Sequence, residues 1–478
     1  MKADVLFGKS WLDKFENVDI TGIAYDSRNV LEGNVFVCIK GFETDGHKYA
    51  KTAEKNGAAV IVAEDKVDVD IPVWYVDNSR RAIADLACAF YDNPSKKFKL
   101  VGVTGTNGKT TITYLLKSIL EQAGMSVGII GTNQNIIGDK VLVTQSTTPT
   151  TPNALELQQL FAEMAENKAD YVVMEVSSHA LELERVRGCH FDVGVFTNLT
   201  QDHLDFHKTM ENYLKAKAKL FDMCDKGVVN FDDDGGKKIC AEKDCDILKA
   251  GLSDGCDFKA ENISITARGD EFDVIYKGEK HHMKIAIPGK FSVYNAVCAA
   301  GAALQLGIDI ETIKKGLESA RGVLGRVEVV HTDTDYTVII DYAHTPDGLE
   351  NIISAVKEFA EGRVITLFGC GGDRDNTKRP IMGEIAGRLS DFSIITSDNP
   401  RTEDPEAIVA QVEVGMKRTD GKYTVITDRR KAIAYALDNA EAGDVIILAG
   451  KGQETYQIIG KEKFDFDERV EVWKHLNK

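Results

Sequence analysis

Lys99-Leu100-Val101-Gly102-Val103-Thr104-Gly105-Thr106-Asn107-Gly108-Lys109-Thr110-Thr111 passes from an apolar run into a glycine-rich turn and on into a helical pattern. The apolar run reads as a buried strand. Beyond the turn, Ile112, Leu115, Leu116, Ile119 and Leu120 fall at i, i+3, i+4, i+7 and i+8, the spacing of one helix face, and Gly124 supplies a stop. A strand that turns through glycines into a helix N-terminus aims backbone amides and partial positive charge at an anion. Lys109 is placed to reach terminal phosphates, and the Thr110 hydroxyl to ligate magnesium. The strict phosphate-loop pattern would need Gly at position 103, where Val103 stands. A plain glycine-rich turn with a surface lysine is the alternative, and the strand-turn-helix context weighs against it.

Outward from this stretch, short apolar strands alternate with helical segments. YVVMEV, DVGVFTN and KGVVNF follow it; TVIIDY, RVITLFG, FSIITSD and DVIILAG repeat the alternation further on. Such alternation predicts an α/β fold with a mainly parallel, P-loop-bearing central sheet and a C-terminal Rossmann-like domain. Residues 258–287 alternate instead like antiparallel strands and read as a small side sheet. Before the loop, VFVCIK and AAVIVAE read as strands and RRAIADLACAFY as a helix with Ile83, Leu86, Ala87 and Phe90 on one face. The turn cluster Asp92-Asn93-Pro94-Ser95 and the junction RGVLGR divide the chain into regions 1–97, 98–326 and 327–478.

Composition narrows the function. The 478 residues carry a net charge of -17, so a nucleic-acid backbone is repelled and no nucleic-acid partner is expected. Nine cysteines without a C-x-x-C pair argue against a disulfide framework or a zinc site and fit a reducing cytoplasm. The opening MKADVLFGKSWLDKF lacks a signal-peptide core, and no stretch spans a bilayer, so a cytoplasmic location is expected.

Two strand ends bring further chemistry to the edge that bears the loop. Met174-Glu175-Val176-Ser177-Ser178-His179 carries Glu175, a hard oxygen ligand suited to magnesium. Asn198-Leu199-Thr200-Gln201-Asp202-His203-Leu204-Asp205 carries His203, which alone reads more readily as a structural histidine, with Asp202 and Asp205 as supporting or capping groups. In YLKAKAKLF, Tyr213, Lys217, Leu220 and Phe221 share one helical face, while Lys215 and Lys219 point away. A lysine on an apolar face is held toward its neutral form, which can react with carbon dioxide to a carbamate. A snorkelling lysine is the alternative.

The loop Gly105-Thr106-Asn107-Gly108-Lys109-Thr110-Thr111 resembles that of the Mur ligase family and its relative, folylpolyglutamate synthase, and the resemblance extends over nearly the whole chain. It implies three domains, for a UDP-sugar, for ATP and for an incoming amino acid, and an ATP-dependent amide-bond-forming ligase of peptidoglycan precursor synthesis. The segment around Lys217 is similar to Y-x-x-A-K-x-x-L-F, whose lysine is carbamylated. The resemblance thus implies Thr110, Glu175, His203 and carbamylated Lys217 as a magnesium set. It implies Asn295, after Pro288-Gly289-Lys290-Phe291, at the adenine edge; Arg326 at the ATP phosphates; and, in Asp341-Tyr342-Ala343-His344-Thr345-Pro346-Asp347, Asp341 near the nucleotide and His344 as acid or base. For the UDP-N-acetylmuramoyl-L-alanyl-D-glutamate precursor it implies Ser27, Arg28, His47, Thr147, Thr148, Ser177 and Arg185. Lys208 stands where the family commonly has Gly.

Asp398-Asn399-Pro400-Arg401 ends a strand, and Pro400 fixes a turn that aims Arg401. A guanidinium pairs bidentately with a carboxylate, which diaminopimelate has at its distal end and lysine lacks. With Arg374 from the Gly369–Asp375 segment and with Gly450 and Glu454, these residues resemble those of family members that add meso-2,6-diaminopimelate. An ion pair of Arg401 with Glu403 or Asp404 is the alternative. The expected reaction makes an acyl phosphate from the glutamyl carboxylate and ATP, which the amine of diaminopimelate then attacks. A monomer is expected. A lysine-adding ligase, folylpolyglutamate synthase and an inactive scaffold are the rival readings.

Overall fold

In a computed structural model, which describes residues 1, 6, 18–41, 44–143, 148, 150–266, 269–320 and 322–477, the chain divides into two compact units. The first holds Met1–Ala250 and Ala300–Asp309, and the second Gly251–Ala299 and Ile310–Lys478. The helix Lys290–Gln305 carries the chain from one to the other.

The first unit contains two sheets. Gly22–Ala24, Asn34–Val37, Val60–Ala63 and Val73–Tyr75 pair in that order, all parallel. The helix Ser79–Phe90 buries Ile83 and Leu86 with Val35, Val37, Val60 and Val62, and Asn78 caps its start by accepting from the Arg81 amide. In the larger sheet Lys99–Thr104 runs parallel between Phe191–Phe196 and Tyr171–Glu175. Cys224–Asn230 and Asp246–Gly251 extend it beyond Phe191–Phe196, and Val127–Ile130 lies beside Tyr171–Glu175. Asn135–Ile137 and Lys140–Leu142 add an antiparallel edge.

A strand flanked by parallel neighbours is covered on both faces, which is why Leu100, Val101 and Val103 are wholly buried. The helix Lys109–Gln122 buries Ile112, Leu115, Leu116, Ile119 and Leu120, the five positions of the apolar spacing. Burial of each such side chain contributes about 2 kcal/mol. Gly124 ends the helix region with φ +80°, a conformation open to glycine at little cost. Lys208, where glycine would be at ease, adopts φ +69°.

In the second unit Phe258–Thr266, Gly269–Tyr276 and Glu279–Ile285 form the antiparallel side sheet. A further sheet runs Glu328–Val330, Thr337–Asp341, Val445–Ala449, Val364–Phe368, Phe392–Ile395, Tyr423–Val425, parallel except at its first strand. Helices Pro346–Lys357, Lys378–Leu389 and Pro405–Met416 cover one face, with Leu349, Ile353, Met382, Ile385 and Val412 in the core. Ala432, Ile433 and Ala436 of the helix Arg429–Asp438 cover the other. Among the described residues no helix is long and apolar enough to cross a membrane.

Candidate active site

The glycine-rich turn follows Lys99–Thr104 and is pinned from the neighbouring strand end. Asn198 accepts from the Thr106 amide through its carbonyl and from the Asn107 amide through Oδ1, both at 2.9 Å, while Thr197 Oγ1 donates to Asn107 O at 2.6 Å. Gly105, at φ +145°, lies so close to Thr197 that an added Cβ would stand 1.8 Å from its Oγ1. Gly108 sits at φ +86° before the helix, whose first amides, as in any α-helix, have no partner within the helix. Lys109 curls back and donates to Gly105 O and Thr106 O at 2.9 Å each. Thr111 occupies the first helical turn.

Glu175 ends the strand beside the turn and is 1% exposed. Its Oε1 accepts from Thr110 Oγ1 at 2.8 Å and the Thr132 amide at 3.0 Å, and its Oε2 accepts from Thr132 Oγ1 at 2.9 Å. No cationic side chain pairs with it among the described residues. A buried carboxylate ringed by hydroxyls is a hard oxygen set whose charge calls for a cation, and magnesium fits that demand.

Lys217 lies in the helix Met210–Ala218 and is 2% exposed, with Tyr213, Leu220 and Phe221 buried around it. Lys215 and Lys219 are exposed. Its Nζ donates to Gly105 O at 2.7 Å and lies 4.3 Å from the centre of the Tyr213 ring. Burial first, then the charge of Lys109, hold the amine well below the usual lysine range, against a smaller opposing pull from Asp202. The loop, Glu175 and Lys217 therefore converge around Gly105 and Thr110. His203 stands at φ +52° and is half-exposed, with its Nε2 3.3 Å from Asp202 Oδ2 and its ring edge-on to His179. No direct contact joins it to Glu175 or Lys217 in this state. The side chain of Asp205 lies outside the described residues.

The residues expected to take the precursor spread over the first unit. A cavity of about 530 Å³ is lined by Ser27, Arg28 and Arg185. Arg28 is tied to Asp26 at 2.6 Å. His47 is committed to its own turn: Nδ1 lies 2.6 Å from Asp45, and Nε2 accepts from the amides of Glu64 and Asp65. Ser177 caps a short helix by accepting from the Ala180 amide. Thr148 donates to Thr151 O, and Thr147 lies outside the described residues.

Thr151 is a residue the motifs did not single out. Its hydroxyl donates to Glu175 O at 2.9 Å and accepts from the Ser177 amide at 3.0 Å, while its carbonyl accepts from Arg185 Nη1 at 3.0 Å. Thr132 was missed in the same way. A single hydroxyl in a loop carries no periodicity that would have marked either.

In the second unit Asp341 is buried at a strand end. Its oxygens accept from the Val327 and Ala343 amides at 2.8 Å, and burial raises its carboxyl above the usual range. Arg326 stacks on Tyr342, guanidinium to ring centre 5.1 Å, and its Nε is buried without a hydrogen-bond partner. His344 places Nδ1 2.8 Å from Tyr342 O, so Nδ1 is the donor to that carbonyl. Asn295 is buried in the helix that follows Gly289.

The segments 369–375, 398–401 and 450–454 meet in this unit. Arg401 Nη1 donates to Gly372 O at 2.8 Å, and no carboxylate pairs with it among the described residues. Glu403, its nearest candidate partner, is held by Arg379 at 2.8 Å, and Asp404 caps the next helix. Arg374 is exposed and donates to Asp373 O. Lys451, wholly buried, ties the rest together: its Nζ reaches Glu454 Oε2 at 3.1 Å, Asn399 Oδ1 at 3.3 Å and Asp398 Oδ1 at 3.5 Å. Asn399 also donates to Glu454 Oε2 at 2.8 Å. Gly450 stands at φ +116° beside Asp398, and Pro400 precedes the strained φ +50° of Arg401.

Comparison with known proteins places this geometry. Family models match residues 19–91 (Mur ligase family, catalytic domain), 103–303 (Mur ligase middle domain) and 325–452 (Mur ligase, glutamate ligase domain). A UDP-N-acetylmuramoyl-L-alanyl-D-glutamate–2,6-diaminopimelate ligase from Clostridium acetobutylicum is 51% identical over 95% of this chain and 94% of its own. A ligase of the same description from Clostridium botulinum is 51% identical over 94% of each chain. A solved structure of that description shares 32% identity and a TM-score of 0.72, covering 96% of this chain and 95% of its own. The phosphate turn, the buried carboxylate and lysine beside it, and likeness along nearly the whole length lead to one conclusion: the chain belongs to the Mur ligase family.

Proposed function

We propose that this protein joins meso-2,6-diaminopimelate to UDP-N-acetylmuramoyl-L-alanyl-D-glutamate at the expense of ATP, in peptidoglycan precursor synthesis. The observation that carries the choice of amino acid is Arg401, whose guanidinium has no carboxylate partner among the described residues although Glu403 stands two positions away. The distal carboxylate of diaminopimelate would complete it; lysine would leave it unpaired. Arg374, Asp398, Asn399, Pro400, Gly450 and Glu454 form the rest of the proposed pocket, with Glu454 on the distal ammonium.

In the reaction we infer, the glutamyl carboxylate of the precursor attacks the γ-phosphorus of ATP, forming an acyl phosphate and releasing ADP. The amine of diaminopimelate then attacks the acyl carbon and phosphate leaves. Gly105–Thr111 cradle the phosphates, Lys109 turns from its own loop to meet the developing charge, and Asn295, Arg326 and Asp341 serve the nucleotide. Thr110, Glu175, His203 and Lys217 as its carbamate would hold magnesium, which would supply charge neutralisation at the phosphates. Burial that holds the Lys217 amine well below the usual lysine range supports carbamate formation, since only the free base reacts. His344, with Nε2 open, is the proposed acid or base. Ser27, Arg28, Thr147, Thr148, Ser177 and Arg185 receive the precursor, and His47 shapes its turn. We assign domains 1–97, 98–326 and 327–478 to precursor, ATP and amino acid, in a cytoplasmic monomer.

Phosphate release from ATP is measured with the UDP-muramoyl dipeptide and either meso-diaminopimelate, L-lysine or no amino acid. Turnover with diaminopimelate alone is expected. Preference for lysine would overturn the pocket and keep the ligase; no turnover with either would overturn both.

A further inference from the structure

The arginines around the cavity of the first unit fall into two sets. Arg28, which also lines the cavity, pairs with Asp26 at 2.6 Å; outside the lining, Arg81 pairs with Glu184 at 2.9 Å and Arg187 with Asp85 at 2.8 Å. Arg80 and Arg185, which line the cavity, have no such partner among the described residues. Arg80 donates through Nη2 to Lys40 O at 2.9 Å, and Arg185 through Nη1 to Thr151 O at 3.0 Å. The Nε of Arg185 is buried with no hydrogen-bond partner. Both side chains are half-buried, and guanidinium groups drawn partly out of water without an anion are costly, so the arrangement is incomplete as it stands.

Like charge aggravates that cost. Burial holds both guanidiniums below the usual arginine range, and the charge of Arg80 adds to the fall at Arg185. Glu156 does not resolve it. One of its oxygens accepts from the Tyr25 hydroxyl, the other is buried without a partner, and burial raises its carboxyl above the usual range. Glu64 pulls on Arg80 only from beyond ion-pair range; its carboxylate accepts from the Ser79 amide and hydroxyl. In a chain of net charge -17, two unpaired arginines facing one cavity mark the place for an anion.

We propose that Arg80 acts with Arg185 as a two-guanidinium clamp for an oxyanion group of the nucleotide-sugar substrate. The inference rests on the precursor reading of this cavity and adds to it a contact residue and the class of group contacted. The precursor offers such a group twice, in its diphosphate and in the carboxylate of its peptide stem. Both match the planar fork of arginine, and a lysine ammonium matches it less well.

Calorimetric titration of the full chain with UDP-muramoyl dipeptide and with UDP-N-acetylglucosamine, which has the diphosphate and no carboxylate, tests this. Arg80→Met is expected to weaken the dipeptide precursor by about tenfold or more, and Arg80→Lys to recover part of the loss. Equal weakening of UDP-N-acetylglucosamine assigns the clamp to the diphosphate; weakening of the dipeptide alone assigns it to the carboxylate. Wild-type affinity for the dipeptide in Arg80→Met overturns the clamp and leaves the ligase reading intact. Should Arg80→Met fail to fold, Arg80→Lys decides: undiminished affinity there, with the fork removed, overturns the clamp. A wild-type protein that binds no precursor would sink the ligase reading itself, and the clamp with it.

Discussion

Lys109 and Lys217 donate to one and the same acceptor, the carbonyl oxygen of Gly105, at 2.9 and 2.7 Å. Two ammonium charges on one oxygen repel, and the buried member yields: Lys217 is the amine held low. The proposed function gives the two amines different work, Lys109 at the phosphates and Lys217 as the carbamate.

The first prediction follows. With ¹³C-labelled bicarbonate near pH 8, the wild type is expected to show a carbamate carbon resonance that Lys217→Met lacks. An identical spectrum in the variant would remove the carbamate from the mechanism. The folded-state pKa of this base is depressed, so the unfolded chain takes up a proton that the folded chain does not. That penalty on folding is absent above the unfolded pKa and grows as pH falls toward the folded one. Lys217→Met is therefore expected to melt higher than the wild type at pH 7 without bicarbonate, while losing activity.

In the proposed function Arg401 sets the choice of amino acid. Glu403 cannot neutralise it, because Arg379 holds that carboxylate at 2.8 Å and drives it down to about 2. Arg401→Ala is expected to raise the KM for diaminopimelate by roughly 100-fold and to narrow the preference over lysine, with kcat changed less. Steady-state kinetics on both amino acids check it, and an unchanged ratio of kcat/KM values would count against the assignment.

Lys451 is the buried cation on which the pocket's acidic groups close. Its removal leaves Asp398 and Glu454 without the ammonium that reaches both, a change that typically costs about 3 kcal/mol. Urea unfolding of Lys451→Met measures that cost directly. A midpoint equal to the wild type would show that the cluster needs no internal cation.

Asp270 is a buried acid outside the reaction. Its Oδ1 accepts from the Gly289 amide, its Oδ2 has no hydrogen-bond partner, and burial pushes its carboxyl up to about 7. A raised folded-state pKa means that its contribution to stability is fully present below the unfolded value of 3.8 and is lost as pH rises through 7. Asp270→Asn cannot ionise. Between pH 5 and pH 8 the wild type should lose on the order of 1 kcal/mol more than the variant. Parallel melting curves across that range would disprove the linkage.

What the sequence made legible was what local spacing encodes. The face that buries Lys217 beside Tyr213, Leu220 and Phe221 is a matter of helical period, and so is the face of Ile112 to Leu120. Strands as short as Val73–Tyr75 and Asn135–Ile137 have no period to read and went unseen. Thr132, Thr151 and Lys451 escaped for another reason: each acts on partners up to 53 positions away, through a single polar atom. His47 shows the converse. A histidine in a promising turn has both ring nitrogens engaged within the protein, and only coordinates reveal that.

The Gly105 carbonyl has a consequence for inhibition. Any side chain at this position would drive its Cβ to 1.8 Å from Thr197 Oγ1, at a backbone angle of φ +145°. The oxygen on which both lysines converge belongs to the main chain, so substitution cannot delete it, and sterics keep the residue that bears it from changing. A compound that displaced Lys109 and drew its affinity from that oxygen would rest on a contact that substitution has little room to remove.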